Sequence, residues 1–253
     1  MDLPDALAAE GAVTCVVGAG GKKSTLYALA ERLERAVVTA TVRIPPFEEQ
    51  VADLRVTESP LEAVRSAERW PIGVVPAQER PDRYLGYETD ALDAFVNSLS
   101  PSLEGGDETA GVSVVVKADG ARTRWFKAPK ETEPQLPATA DVVVPVASAK
   151  IVGESLTDEH VHRPERVAAV TGLEPGDPIS AADVATVLTS DDGGFKGVPD
   201  GATVIPLVNM VDTPALEETA REVAAEIHDR RAVPRVVLTR LIDDDPVVDV
   251  VRG

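Results

Sequence analysis

Cysteine is nearly missing from this sequence: Cys15 is the only one in 253 residues. That excludes an intramolecular disulfide and any cysteine cluster for zinc or iron–sulfur. Cys15 lies inside an apolar run and reads as a small core residue. Lysine is scarce, since only Lys22, Lys23, Lys117, Lys127, Lys130, Lys150 and Lys196 occur, and aromatic residues make up 4%. No apolar run approaches the ~20 residues that a membrane helix needs. The N-terminus has no basic-then-apolar signal pattern. The expectation is a soluble, cytoplasmic protein with no membrane partner. Positive charge is also in deficit: 25 Lys and Arg face 43 Asp and Glu, for a formal charge of −18 and a pI near 4.5. Acidic excess with few lysines and few aromatics is the composition of a protein adapted to high salt, where the Debye length shrinks to about 3 Å. The same surface argues against nucleic acid as a partner, because phosphate backbones need clustered cations.

What is present is organised around Val13-Thr14-Cys15-Val16-Val17-Gly18-Ala19-Gly20-Gly21-Lys22-Lys23-Ser24-Thr25-Leu26. A buried-strand pattern runs into three glycines, two lysines and two hydroxyls, and then into a helical pattern. Strand, glycine loop and helix N-terminus together form an anion cradle for nucleotide phosphates. Gly18, Ala19, Gly20, Gly21, Lys22, Lys23, Ser24 and Thr25 are its candidate residues. Lys22 is placed to bridge phosphate oxygens, and Ser24 or Thr25 to hold magnesium. The spacing departs from G-x-x-x-x-G-K-[ST], since Val16 stands at the first glycine and Lys23 at the hydroxyl. The shorter Gly18-x-x-Gly21-Lys22 fits better, a compact form also found in ATP-dependent ligases of the Mur type. A structural glycine turn is the alternative. A dinucleotide fingerprint would need glycine at position 23.

Further along, Ala36–Val42 reads as a buried strand, which delivers Thr41 and Arg43 to the carboxyl edge where substrates bind, although β-propensity accounts equally for the threonines. Ser100–Gly111 reads as an exposed loop. Val112–Val116 is a strongly apolar strand ending in Lys117-Ala118-Asp119-Gly120. An Asp there suits a magnesium ligand, whereas Asp-Gly alone is a turn signal. Arg122, Arg124, Lys127 and Lys130, interleaved with Trp125 and Phe126, form a basic cluster suited to an anionic substrate, with Arg122 and Lys127 placed to neutralise a transferred phosphoryl group. His160 and His162 make a weak metal pair without a third ligand and a better substrate-contacting or acid–base pair. Arg163 beside them and Lys196 in a glycine loop are further substrate candidates. Asn209-Met210-Val211-Asp212 follows a strand as the guanine-reading N-K-x-D element does, with Met210 in place of lysine, so Asn209 and Asp212 are candidate base contacts. Alternating strands and helices imply a three-layer α/β, P-loop-NTPase-like fold with a mainly parallel sheet. Residues 1–253 read as a single nucleotide-binding domain with an inserted or peripheral segment around 147–200.

In combination these stretches resemble the YqeC family, described as selenium-dependent hydroxylase accessory or selenium cofactor biosynthesis proteins. The residues that carry the resemblance are Val17–Lys22 with Ser24-Thr25-Leu26, Ala118–Arg122, Lys127-Ala128-Pro129 with Glu133-Pro134, Asp158–Glu165, Gly194–Gly197, and Asn209 with Asp212. It spans about Val13 to Thr239. Lys23 stands where the family usually has Thr or Ser, which moves the magnesium hydroxyl to Ser24 or removes it. Lys117 stands where an acidic residue commonly precedes Ala-Asp-Gly. The resemblance implies a nucleotide-binding accessory role, with ATP or GTP and Mg2+ as cofactors and a molybdenum hydroxylase or its maturation factors as partners. The alternatives are a non-catalytic chaperone for a phosphorylated cofactor and a Mur-like ligase.

Overall fold

A computed structural model describes residues 1–99 and 109–253. The loop expected over Ser100–Gly111 falls largely outside them. In chain order the elements are α1 (Leu3–Leu7), β1 (Val13–Gly18), α2 (Lys22–Arg32), β2 (Ala36–Ala40), β3 (Asp53–Val56), α3 (Pro60–Arg65) and β4 (Ile72–Val75). A short hairpin, β5 (Gln78–Arg80) and β6 (Arg83–Tyr84), leads to α4 (Thr89–Ser98), β7 (Ser113–Lys117), β8 (Phe126–Lys127) and β9 (Val142–Ser148). The remainder comprises β10 (Val161–His162), α5 (Pro164–Thr171), α6 (Ala181–Thr189), β11 (Thr203–Val204), β12 (Leu207–Asn209), α7 (Pro214–Arg230), β13 (Val236–Thr239) and β14 (Val247–Val251).

Ten of these strands form one sheet in the order β14-β13-β12-β9-β1-β7-β2-β4-β3, with β11 also on β9. Every pairing is parallel except β14 on β13. Helices cover both faces, giving the expected three-layer, mainly parallel α/β architecture. The central strands read as unbroken apolar runs because both faces are covered, and alternate residues serve opposite layers. Val16, Val38, Val115 and Val144 pack with Leu26 and Leu29 of α2, while Cys15, Val17, Val37, Val114 and Val116 pack under Leu92 and Phe95 of α4. A third cluster joins α6 and α7 to Phe126, Ile151 and Leu156.

Local signals account for several boundaries. Ser180 and Asp183 make a reciprocal capping box at α6, and Pro164 and Pro214 occupy first-turn positions of α5 and α7. Strands β11 and β12 are separated at Ile205 and Pro206, because proline has no N–H for the ladder. What the topology does for the site is simple. The carboxyl ends of β1, β7, β9 and β12 share one edge, and β1 lies between β7 and β9, so its glycine loop opens at a point where the chain diverges to both sides.

Leu29 is fully buried between α2 and the sheet. Leu29→Ala is expected to cost about 2–5 kcal/mol of stability through lost transfer energy and a residual cavity. Glu31→Ala on the exposed side of α2 should stay within about 0.5 kcal/mol. Urea unfolding of the two variants measures both.

Candidate anion-binding site

The loop after β1 needs glycine for steric reasons. Gly18, Gly20 and Gly21 have φ of +90°, +86° and +132°. A Cβ at Gly18 would strike the Val146 backbone, and one at Gly21 the Asn209 side chain. Three loop amides are already engaged: Gly18 N–H donates to Asp119 Oδ2 (2.9 Å), Ala19 N–H to the Val146 carbonyl (2.9 Å) and Gly20 N–H to the Arg124 carbonyl (2.9 Å). The anion-facing amides therefore lie further on. Helix α2 starts at Lys22 with no side-chain cap on Gly21, which leaves the first-turn N–H groups of Lys22, Lys23 and Ser24 without i−4 acceptors and the positive end of the helix dipole beside them.

Behind the loop is a buried chain of alternating charge. Lys22 Nζ donates to the Asp119 carbonyl (3.0 Å) and pairs with Asp119 Oδ1. Lys127 Nζ lies 2.8 Å from Asp119 Oδ2, 2.9 Å from Glu133 Oε2 and 2.7 Å from the Gly120 carbonyl. Arg163 closes the series on Glu133 at 2.8 Å. Lys22, Asp119 and Lys127 are 6%, 1% and 3% exposed, so this cluster is dry. Desolvation, then the neighbouring Lys127 and Lys117 charges, push Lys22 well below the usual lysine range. Burial lowers Lys127 to about 8 against the pull of Glu133. Burial acts upward on Glu133, but Lys127 and Arg163 together outweigh it and hold that carboxyl at about 2. Lys117, at the end of β7, is lowered to about 7 by burial and by Lys127, and its ammonium donates to the Arg43 carbonyl at 2.9 Å. Burial, with Arg163 and Lys127 nearby, lowers His162 to about 4, so it is a neutral imidazole near pH 7.

These elements enclose a cavity of about 630 Å³. Its floor is the Ala19–Ser24 loop and Lys117. Its walls are Gly120–Trp125, His162–Arg163, Arg43, Pro45, Arg83 and Met210. Eight lining residues are Lys or Arg and none is Asp or Glu, on a chain with 43 acids. Five non-glycine residues have positive φ among the described residues, and four of them, Arg122, Thr123, Arg163 and Met210, line this cavity. Backbone strain of that kind gathers where function holds it in place.

The expected residues divide accordingly. The glycine loop, Lys22, Lys23, Ser24, Arg43, Arg122, His162 and Arg163 converge on the cavity, with Asp119 and Lys127 directly behind its floor. Asp119 has both oxygens engaged by Gly18, Lys22 and Lys127. Thr25 is fully buried and back-bonds to the Gly21 carbonyl, and Thr41 donates to the Gln135 carbonyl. His160 stacks on Trp125 with ring centroids 4.1 Å apart and is not in the cavity lining. Lys196 donates to the Lys130 carbonyl. Asn209 is buried, donating to the Gly20 carbonyl (2.9 Å) and accepting from Thr239 Oγ1 (3.1 Å), so it latches the loop to β12 and β13. Asp212 pairs with Lys150 at 2.5 Å. Arg83, Pro45 and Thr123 are lining residues that sequence reasoning missed. Arg83 sits in a nondescript polar stretch and is brought in by the hairpin, where Tyr84 bridges to Ile44 and Glu79 pairs with Arg43.

A parallel α/β protein with a cationic pocket at the carboxyl edge of its sheet is the class that fold and site define. The family model described as YqeC protein matches residues 14–165, and this chain belongs to the YqeC family. An Escherichia coli (strain K12) relative, titled "Uncharacterized protein YqeC", is 29% identical over 205 residues, covering 78% of this chain and 75% of that protein. No solved structure matches.

Two measurements check the buried cluster. Asn209→Ala should cost about 1–3 kcal/mol, because it leaves the Gly20 carbonyl and Thr239 hydroxyl unpaired, and proteolysis should then cut the Gly18–Gly21 loop faster. Glu133 is held below its unfolded value of about 4.3. Its contribution is therefore present above that value and lost as pH falls toward about 2. Thermal unfolding between pH 5 and pH 2, at constant ionic strength, should show wild type losing its advantage over Glu133→Gln.

Proposed function

We propose that this chain binds the phosphates of ATP or GTP at the Gly21–Ser24 turn and uses them to activate an anionic substrate. Its setting would be the maturation of selenium-dependent molybdenum hydroxylases or selenium cofactor biosynthesis, the role that the family resemblance implies. The single observation that carries the nucleotide reading is the carboxylate-free cationic pocket, set on a helix N-terminus in a chain of formal charge −18.

In this reading Lys22 exchanges Asp119 for phosphate oxygens. Asp119 stays compensated by Lys127 and the Gly18 amide, so the exchange strands no buried charge. The Lys22–Asp119 pair keeps the ammonium folded against the floor until an anion arrives. Magnesium fits as an ion carried in with the triphosphate. Ser24 in the lining is a hard oxygen ligand for it, while Asp119, saturated in the dry cluster behind the floor, offers it no free oxygen. When bound, magnesium neutralises charge on the phosphates. Arg122 and Lys127 supply positive charge near a transferred phosphoryl group. Because Asn209 is buried and Asp212 is held by Lys150, the phosphates carry recognition and the base adds little.

A second reading is favoured by one observation. With Asp119 saturated, the pocket offers no free carboxylate as a general base, which suits a chaperone that holds a phosphorylated cofactor without turnover. The Mur-like ligase reading has only the short Gly-x-x-Gly-Lys loop in its favour.

Lys22→Ala is expected to weaken triphosphate binding by about 2–4 kcal/mol, the loss of a charge-assisted contact to a desolvated phosphate. Calorimetry with ATP and GTP analogues plus magnesium, in molar salt, tests it, and unchanged binding would sink the assignment. Turnover that disappears in Lys22→Ala selects the enzyme over the chaperone. In competition, ATP and GTP should bind within about a factor of three of each other, with the ratio unmoved by Asp212→Ala.

A further inference from the structure

The pocket holds more positive charge than a magnesium triphosphate needs. The helix end, Lys22 and Lys23 already face the Gly21–Ser24 turn. Next to them, where the Arg124 carbonyl accepts from the Gly20 amide, stand Arg122 and Arg124, which make no ion pair among the described residues. Lys117 reaches the same space from the floor, 7% exposed and without a carboxylate partner among those residues. Two adjacent residues of this wall, Arg122 and Thr123, are held at φ of +45° and +59°, a conformation that costs energy in non-glycine residues. Trp125 lines the pocket beside them, with His160 stacked at an interplanar angle of 8°.

Unpaired guanidinium forks match the oxygens of a phosphate dianion in a way that point charges do not. An indole backed by a second ring is a rigid surface for a planar group. We infer that the wall formed by Arg122, Arg124, Lys117 and Trp125 is a second subsite, which takes a small aromatic phosphomonoester while the nucleotide occupies the turn at Gly21–Ser24. The inference rests on the proposed function only in leaving that turn to the nucleotide. The ester's phosphate lies on the arginines and its ring on Trp125. This places both reactants of a transfer in one cavity of about 630 Å³.

The test is calorimetry on the full chain at fixed ionic strength, with inorganic phosphate and phenyl phosphate as probes, with and without a saturating non-hydrolysable ATP analogue and magnesium. Phenyl phosphate is expected to bind about tenfold tighter than inorganic phosphate, and to keep binding when the analogue is saturating. Arg124→Ala should weaken phenyl phosphate by about tenfold, more than it weakens the analogue. Trp125→Ala should cancel the advantage over inorganic phosphate. If that variant fails to fold, the wild-type comparison of the two probes still reads the ring, and Arg122→Ala, at an exposed position, reads the phosphate. Strict competition between phenyl phosphate and the analogue would overturn the second subsite. Equal affinity for the two probes would overturn the aromatic ester in favour of free phosphate. Binding of phenyl phosphate with these sensitivities, but none of the analogue, would instead remove the nucleotide reading and leave the subsite standing.

Discussion

The contact on which the site depends is the buried carboxylate of Asp119 held between two lysines. One arrives from the first turn of α2 and the other from β8, while a backbone amide of the glycine loop donates to the same group. Two stretches distant in sequence, 18–22 and 119–127, are thereby fixed to one another at the carboxyl edge of the sheet. Burying this many charges is costly unless each is matched. Here the match extends through Glu133 to Arg163, which explains why the series ends at the pocket wall. The outermost cation is the first one that meets solvent and ligand.

Charge is therefore distributed on two scales. Over the whole molecule the sign is strongly negative, and it repels anions at a distance whenever salt is low. Within the pocket the sign reverses, because acids are excluded from the lining and the helix dipole adds to the side chains. In concentrated salt the long-range repulsion is screened while contacts at the pocket floor, being desolvated, are not. Anion capture at the pocket floor thus tolerates concentrated salt.

Much of this was legible in sequence where a local rule was strong. Three glycines after an apolar strand marked the loop, and alternating strand and helix patterns gave the parallel sheet. The pocket wall was legible only in part. Arg122 and Arg163 stood near recognisable motifs, but Arg83 came from a polar hairpin that is placed by contacts distant in sequence, among them Tyr84 with Ile44 and Glu79 with Arg43. Asn209 and Asp212 show the opposite failure. Their spacing matches a base-reading element, yet one is engaged with Gly20 and the other with Lys150. A spacing fixes which residues share a turn, and it leaves open which neighbours reach them first.

The two outer strands of the sheet share a device. In β3, Asp53 is bound to Arg55, and in β14 the central Asp249 is bound to Arg221 of α7 at 3.0 Å. An unpaired strand edge invites a second copy to add itself, and like net charge ordinarily keeps copies apart. Concentrated salt removes that protection, since fields from an acidic surface fade within a few ångströms. A carboxylate fixed within each edge strand still has to be stripped of water before another backbone can pair there. The local guard survives where the global one fails, and the sheet ends where the chain ends it.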